Sequence, residues 1–310
     1  MHEIFKRLLQ EYDFDIRRIL PAKRGFFGET WKLETDTADY FLKIDYWKHH
    51  QESYRNSLAV VEYMTDHGIS FIPQIVKTRC GGLYCSIRHG IAAVFQYVQG
   101  ENRENYPLER LFGQLAQVYR LGITGVELGS ETFGTEILDK FQTLRNAPKL
   151  PVEIKEALDA KQSAVFKYSE RLKLFSSVCR DRIEDFHITH GDAGGNCILN
   201  ENDFFIVDWD SVMYAPIERD AWLFMYDNRL SDKVHAALLQ NGIDCKFSPE
   251  RFCYYCYYSF FYYLTEYIQA LLSAAEDEQK FRIAESLLEY LSHCWIYKRL
   301  ETADHYEADR

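Results

Sequence analysis

The stretch that most limits what this chain can become begins at Phe186 and reads F-H-I-T-H-G-D-A-G-G-N-C-I-L-N-E-N-D-F-F-I-V-D-W-D, ending at Asp210. Two short apolar runs, Cys197–Leu199 and Phe204–Val207, flank the turn-forming residues Asn200 to Asp203, and this pattern predicts a hairpin. Such a hairpin puts Asn196 and Asp208 at neighbouring ends of paired strands. Asp192 lies four positions before Asn196, in a glycine-containing loop free to turn back toward them. A carboxylate, an amide oxygen and a second carboxylate then converge. Phosphoryl transfer needs this set: a group that positions the attacking hydroxyl and takes its proton, and oxygen ligands for Mg²⁺. A polar hairpin with surface Asp and Asn accounts for either half of the stretch alone; both halves at this spacing favour the chemical reading.

The pattern H-G-D-x-x-x-N, present as His190, Gly191, Asp192 and Asn196, resembles that of the aminoglycoside phosphotransferase family, which shares its fold with protein kinases. So does the I-D-W-D pattern, here led by valine as Val207, Asp208, Trp209 and Asp210. The run from Asp208 to Asp220 most resembles the spectinomycin phosphotransferase branch. The resemblance implies an α+β, two-lobed, protein-kinase-like fold. Its parts are a small β-rich nucleotide-binding lobe over 1–95, a hinge over 96–100 and a larger helical lobe over 101–310 that carries the catalytic loop and the substrate site. It implies that Asp192 is the catalytic base, that Asn196 and Asp208 hold magnesium, and that ATP or GTP donates the phosphoryl group.

Composition agrees with a folded, soluble enzyme. Of 310 residues, 47% are hydrophobic and 15% aromatic, enough for two lobes each with a core. A formal net charge of -11 argues against nucleic acid or an anionic membrane as the main partner and suits a cationic small molecule. Residues Met1 to Asp15 lack the apolar core of a signal peptide, and no run reaches the length of a membrane helix. With eight cysteines and no secretion signal, the expectation is reduced thiols in a cytoplasm. Cys253 and Cys256 form a C-x-x-C without a second pair and among apolar aromatics, so they read as buried structural thiols. The sequence leaves the oligomeric state unknown.

Along the chain, Ile4, Phe5, Leu8 and Leu9 have helical spacing. Gly25, Gly28 and Thr30 in R-G-F-F-G-E-T suit a turn that approaches phosphate oxygens, although an ordinary hairpin turn has the same composition. The strand Tyr40–Ile44 carries Lys43 between apolar neighbours, which suits contact with nucleotide phosphates. Kinase-like folds pair such a lysine with a glutamate on the next helix. Glu52 is the expected partner and Glu62 the alternative, because the family position falls nearer Arg55 or Ser57. Residues 69–76, 83–87 and 92–98 read as strands, and by resemblance the backbone of Gln96 to Val98 meets the nucleotide base. Helical periodicity follows over 108–119, 137–144 and 166–183. Asp220 reads either as a brace for the catalytic loop or as a helix N-terminal carboxylate. The tyrosine-dense run from Phe252 to Leu264 reads as a core helix. Tyr262 and Tyr263 in this run, with Glu266 one turn later and Asp210 of the D-W-D motif, are the candidate substrate contacts, the tyrosines by cation–π attraction to an amine.

These readings lead to an ATP- or GTP-dependent O-phosphotransferase acting on a small hydroxylated cation, an aminoglycoside or aminocyclitol antibiotic first. A kinase of choline, a sugar or homoserine is the second reading. A noncatalytic kinase-like binding module is the third, and the intact Asp192, Asn196 and Asp208 weigh against it.

Overall fold

A computed structural model describes residues 2–22, 28–48, 50–88, 90–102, 105–122, 125–180, 185–274 and 276–306. The chain forms two compact units. One comprises residues 1–130, 187–215 and 236–244, and the other 131–186, 216–235 and 245–310.

The first unit is built on a sheet. Helix α1 (His2–Glu11) precedes strands β1 (Ile16–Pro21), β2 (Glu29–Thr35) and β3 (Asp39–Asp45); α2 (Gln51–Asp66) follows, then β4 (Ile75–Val76), β5 (Cys85–Ile87) and β6 (Gly90–Gln96). The strands run in the order β1-β2-β3-β6-β4, with β5 also paired to β6. Pairing of β2, β3 and β6 is antiparallel and in regular register, with Thr30 opposite Lys43 and Lys43 opposite Ala93. Because strand side chains alternate between faces, this register sorts β3 into two sets. Leu42 and Ile44 join Leu33, Ala92 and Val94 in a core with Leu8 and Tyr12 of α1. Phe41 lies on the other face, with Ile91, Ala93 and Phe95, against Tyr54 and Leu58 of α2. Lys43 and Asp45 share that second face by parity.

Two of the expected strands are much shorter than their apolar runs. Of 69–76 only Ile75–Val76 is a strand, because Pro73 has no N–H to give a ladder. Phe71 and Ile72 are buried in irregular backbone instead, where the Phe71 carbonyl accepts from Ile206 N–H at 2.9 Å. Of 83–87 only Cys85–Ile87 pairs. The unit continues through β7 (Glu101–Asn102) and α3 (Leu108–Tyr119). It then takes up β8 (Phe186–Thr189), β9 (Cys197–Leu199), β10 (Phe204–Ile206) and β11 (Met213–Pro216). The expected hairpin is formed: β9 and β10 pair antiparallel, Cys197 opposite Ile206, and β7 pairs with the free edge of β9.

The second unit is helical: α4 (Glu136–Arg145), α5 (Val152–Ala160), α6 (Gln162–Arg180), α7 (Glu218–Ala221), the start of α8 (Asn228–Gln240), α9 (Pro249–Ser273), α10 (Asp277–Ser292) and α11 (Tyr297–Asp304). Helix α9 is its axis. The Ser248 hydroxyl accepts from Arg251 N–H at the cap, Pro249 takes the first turn where a missing N–H costs nothing, and buried Glu218 accepts from Ser248 N–H at 2.7 Å. Helices α4, α6, α10 and α11 pack around it. Most of the tyrosine-dense run is core, as its composition suggests. Tyr254, Tyr257 and Tyr290 are buried with their hydroxyls donating to Gly134 O, Asp304 Oδ1 and Phe260 O. Cys253 and Cys256 are buried free thiols, both pushed up by burial. No helix among the described residues is long and apolar enough to cross a membrane.

Candidate active site

The first unit brings together five of the expected site residues through a continuous chain of contacts. The loop between β8 and β9 closes as a short 3₁₀ turn over Ala193–Gly195. Asn196 Nδ2 donates both to the Asp192 carbonyl at 2.8 Å and to Asp192 Oδ2 at 3.0 Å. Since a carboxylate only accepts, this fixes the amide orientation and turns the Asn196 oxygen away from Asp192. Val207 N–H donates to the Asn196 carbonyl at 2.9 Å, which puts Asp208 beside Asn196 across the hairpin. Asp208 has φ 64° and ψ 58°, a left-handed conformation that costs a non-glycine residue about 1–3 kcal/mol and marks functional positions. The turn carries the chain into the 3₁₀ turn Trp209–Ser211.

His190, fully buried, ties the two halves of the motif. It accepts Asp192 N–H at Nδ1 (3.1 Å) and its Nε2 lies 2.8 Å from the Val207 carbonyl. With Nδ1 as acceptor and a carbonyl at Nε2, the ring is the neutral Nε2–H tautomer. The Trp209 ring packs against it at 4.5 Å.

Lys43 reaches this cluster across 165 residues of sequence. Its ammonium lies 2.5 Å from Asp208 Oδ1 and 2.5 Å from Asp210 Oδ2. Burial works against the Lys43 charge, but Asp210 and Asp208 overcome it and raise the lysine well above its ordinary value. Asp208 keeps 43% of its side chain accessible, so desolvation is partial and Lys43 holds its carboxyl below the usual range. Burial is decisive for Asp210, 17% accessible: its carboxyl is pushed up, Lys43 opposing and Asp208 adding to the rise.

Lys43 does not pair with Glu52. The inward face of α2 is set by Tyr54, Leu58 and Val61, and Glu52, two positions before Tyr54, is exposed; Glu62 pairs with Lys77. Gly25 lies outside the described residues. Gly28 has φ 77°, and a Cβ there would collide with the Ile44 carbonyl, so glycine is needed for the close approach of β2 to β3. Thr30 is buried opposite Lys43. Gln96 ends β6 with its N–H donating to Gln74 O. Val98 follows, outside the ladder and half-buried.

An aspartate–histidine pair that the sequence did not single out adjoins this cluster. Asp45, one strand repeat beyond Lys43, accepts from Trp47 N–H at 2.8 Å and lies 2.6 Å from His50 Nδ1. The hydrogen bond to Asp45 raises His50 against the effect of burial. Burial would raise Asp45, but His50 and the Trp47 N–H hold it below the usual range. The signal was present as the i, i+2 spacing of Lys43 and Asp45. For the folded pair the signs oppose: Asp45 stabilises above its unfolded pKa and is lost as pH falls, whereas His50 stabilises below its unfolded pKa and is lost as pH rises. Asp45→Asn is therefore expected to cost most, about 1–2 kcal/mol, between about pH 4 and 6.5 and less at pH 8.5. Urea denaturation across that range measures it.

In the second unit, Glu266 is buried and paired with Lys140 at 2.8 Å, so its charge is already matched. Tyr263 packs against Tyr290 and Trp295. Tyr262 stacks on Tyr258 at 6.4 Å, and Tyr258 on Tyr254 at 5.6 Å, a ladder along α9 at i, i+4. Glu131 accepts from the Tyr255 hydroxyl at 3.2 Å, and it is the nearest acidic influence on Tyr258. Asp220 is buried in α7.

The described residues contain no group of three His, Cys, Asp or Glu side chains that would hold a metal on its own. The donor set fits magnesium held jointly with phosphates: one carboxylate, Asp208, beside one amide oxygen, Asn196.

A family model described as the phosphotransferase enzyme family (APH) matches residues 18–254, and the chain belongs to that family. A search of curated protein sequences finds no match. Among solved structures, the fold is similar to that of spectinomycin phosphotransferase APH(9)-Ia in complex with ADP and spectinomycin. That comparison has TM-score 0.78 and 17% identity, covering 98% of this chain and 97% of that one. It is also similar to amicoumacin kinase hAmiN in complex with AMP-PNP, Ca²⁺ and Ami (TM-score 0.64, 14% identity, 94% and 92% covered). A third similar structure is a microcompartment-associated aminopropanol kinase (TM-score 0.61, 14% identity, 99% and 97% covered). The α+β kinase-like fold and the phosphotransferase class are thus as the sequence implies, with a β-rich N-terminal region and a helical C-terminal region.

Proposed function

We propose that this phosphotransferase moves the terminal phosphoryl group of ATP or GTP to a hydroxyl of a small cationic molecule, an aminoglycoside or aminocyclitol first. The observation that carries the reading is the contact chain from Asp192 through Asn196 and the Val207–Asp208 turn to Lys43. Asp192, exposed on its loop, orients the acceptor hydroxyl and takes its proton. Lys43 holds phosphate oxygens, with Gly28 and Thr30 shaping the strand beside it, and the backbone at Gln96 to Val98 meets the base. Asn196 and Asp208 would hold Mg²⁺. Once bound, the ion would offset charge developing on the transferred group. His190 keeps Asp192 and the Asp208 turn in register from behind.

The acceptor's charge is supported by the net charge of -11. Similar folds are named for spectinomycin, an aminocyclitol, and for aminopropanol; the second favours a metabolite amino alcohol as the alternative acceptor.

Incubating purified protein with radiolabelled ATP or GTP and a panel of spectinomycin, other aminoglycosides, choline, aminopropanol and homoserine tests the proposal. Label is expected on an aminocyclitol or aminoglycoside, and chelation of Mg²⁺ is expected to abolish it. Transfer only to aminopropanol or choline would move the assignment to the metabolite reading. Nucleotide binding without transfer to any acceptor would favour a noncatalytic module.

A further inference from the structure

Lys43 faces α2, and no carboxylate of that helix reaches it. What α2 places there is Tyr54, one helical turn before Leu58 on the inward face. The Lys43 ammonium lies 5.9 Å from the centre of the Tyr54 ring, within the range where a cation is attracted to an aromatic face. Tyr54 is fully buried, and its hydroxyl has no hydrogen-bond partner among the described residues. Burial first, then the charges of Asp210, Asp208 and Asp45, act on that hydroxyl and keep its proton in place. It is therefore a buried donor without an acceptor among the described residues, on the helix that packs against the turn Trp209–Ser211. A buried donor in this condition is a cost to the fold, and phenylalanine would pack the same space without it.

Lys43, meanwhile, is shared between two aspartates at equal distance, so a phosphate oxygen that takes its remaining N–H competes with both for the ammonium charge. Asp208 can turn to water, but Asp210, 17% accessible, needs another donor when that competition loosens it.

We propose that Tyr54 is a positioning residue of the nucleotide site: its ring seats the Lys43 ammonium, and its hydroxyl donates to the Asp208–Asp210 pair when phosphate competes for Lys43. The inference rests on the nucleotide role proposed above for Lys43. It makes the hydroxyl a liability in the protein without nucleotide and an asset in the complex, which a purely structural tyrosine would not be.

Three variants of the full-length protein separate the roles: Tyr54→Phe, Tyr54→Leu and Leu58→Ala. The last removes bulk from the same core cluster without approaching Lys43. Two quantities are measured, the melting temperature without nucleotide and the dissociation constant for Mg·AMP-PNP by calorimetry, and kcat and KM are taken with the acceptor found in the panel. Tyr54→Phe is expected to raise the melting temperature by about 2 °C and to weaken Mg·AMP-PNP about tenfold, with KM for nucleotide rising and kcat within about twofold. Tyr54→Leu is expected to weaken binding further, because the ring is lost as well. Leu58→Ala is expected to lower the melting temperature and leave affinity unchanged. Wild-type affinity in Tyr54→Phe, or equal weakening in Leu58→Ala, overturns this inference alone. Wild-type protein that binds no Mg·AMP-PNP overturns it together with the proposed function.

Discussion

Replacing Asp192 by alanine is expected to lower kcat by about 10²- to 10⁴-fold, the usual share of a general base, while the affinity for Mg·nucleotide stays within about threefold. The separation follows from the geometry. Asn196 is anchored to the Asp192 main-chain carbonyl at 2.8 Å as well as to its carboxylate, so the amide keeps its orientation when the side chain is cut back. The Asp192 N–H to His190 bond is also main-chain and survives the change. Single-turnover kinetics and calorimetry on the same preparation read the two quantities. Near wild-type turnover in Asp192→Ala would remove this residue from the chemistry.

The second large effect is expected at Lys43. Lys43→Met keeps the length of the side chain but leaves Asp208 and Asp210 facing one another without their cation. Removing one partner of a buried ion pair costs about 3–5 kcal/mol. Because Asp208 is 43% accessible and can rehydrate, a loss of about 3 kcal/mol at pH 7.5 is expected, at the lower end of that range. The pH dependence gives a distinctive sign. In the variant both carboxyls titrate above their unfolded values, so the folded state binds the extra protons and stability falls as pH rises. Lys43→Met should therefore recover part of its deficit at pH 5, because in wild type only Asp210 is pushed up while Asp208 is held below the usual range and opposes any gain from acidification. Urea denaturation at the two pH values measures this, and a deficit independent of pH would mean that Lys43 stabilises by packing rather than by charge. Nucleotide KM should rise at least tenfold in the same variant.

Much of the site was legible because its chemistry is local. The hairpin from Cys197 to Ile206 follows from two apolar runs around a turn, and it delivers Asn196 and Asp208 side by side. The face that Lys43 occupies on β3 follows from strand alternation once Leu42 and Ile44 are taken as core. The partners of Lys43 were not legible, since the contact spans 165 residues and depends on the left-handed backbone at Asp208, which no local propensity encodes.

The expectation of Glu52 as the lysine's partner illustrates a different failure. The apolar residues Leu58, Val61 and Met64 already set the phase of α2, and stepping back one turn from Leu58 arrives at Tyr54, not Glu52. The family pattern implies a glutamate on this helix, whereas the helix's own periodicity puts a tyrosine at the inward position. The pairing of Glu266 is not legible locally, because its partner Lys140 lies 126 residues away on α4. The tyrosine-dense stretch of α9 is core, as its composition implies: Tyr254, Tyr255 and Tyr257 are buried, and their hydroxyls donate to Gly134 O, Glu131 and Asp304.

Divalent-ion binding tests most directly whether positions 192, 196 and 208 work as one site. Titrating Mn²⁺ into protein with AMP-PNP and counting bound ion by electron paramagnetic resonance compares wild type with Asp208→Asn and Asn196→Ala. Nucleotide-dependent binding that is lost in the first variant and weakened in the second is the predicted result. Equal Mn²⁺ affinity in all three proteins would contradict it.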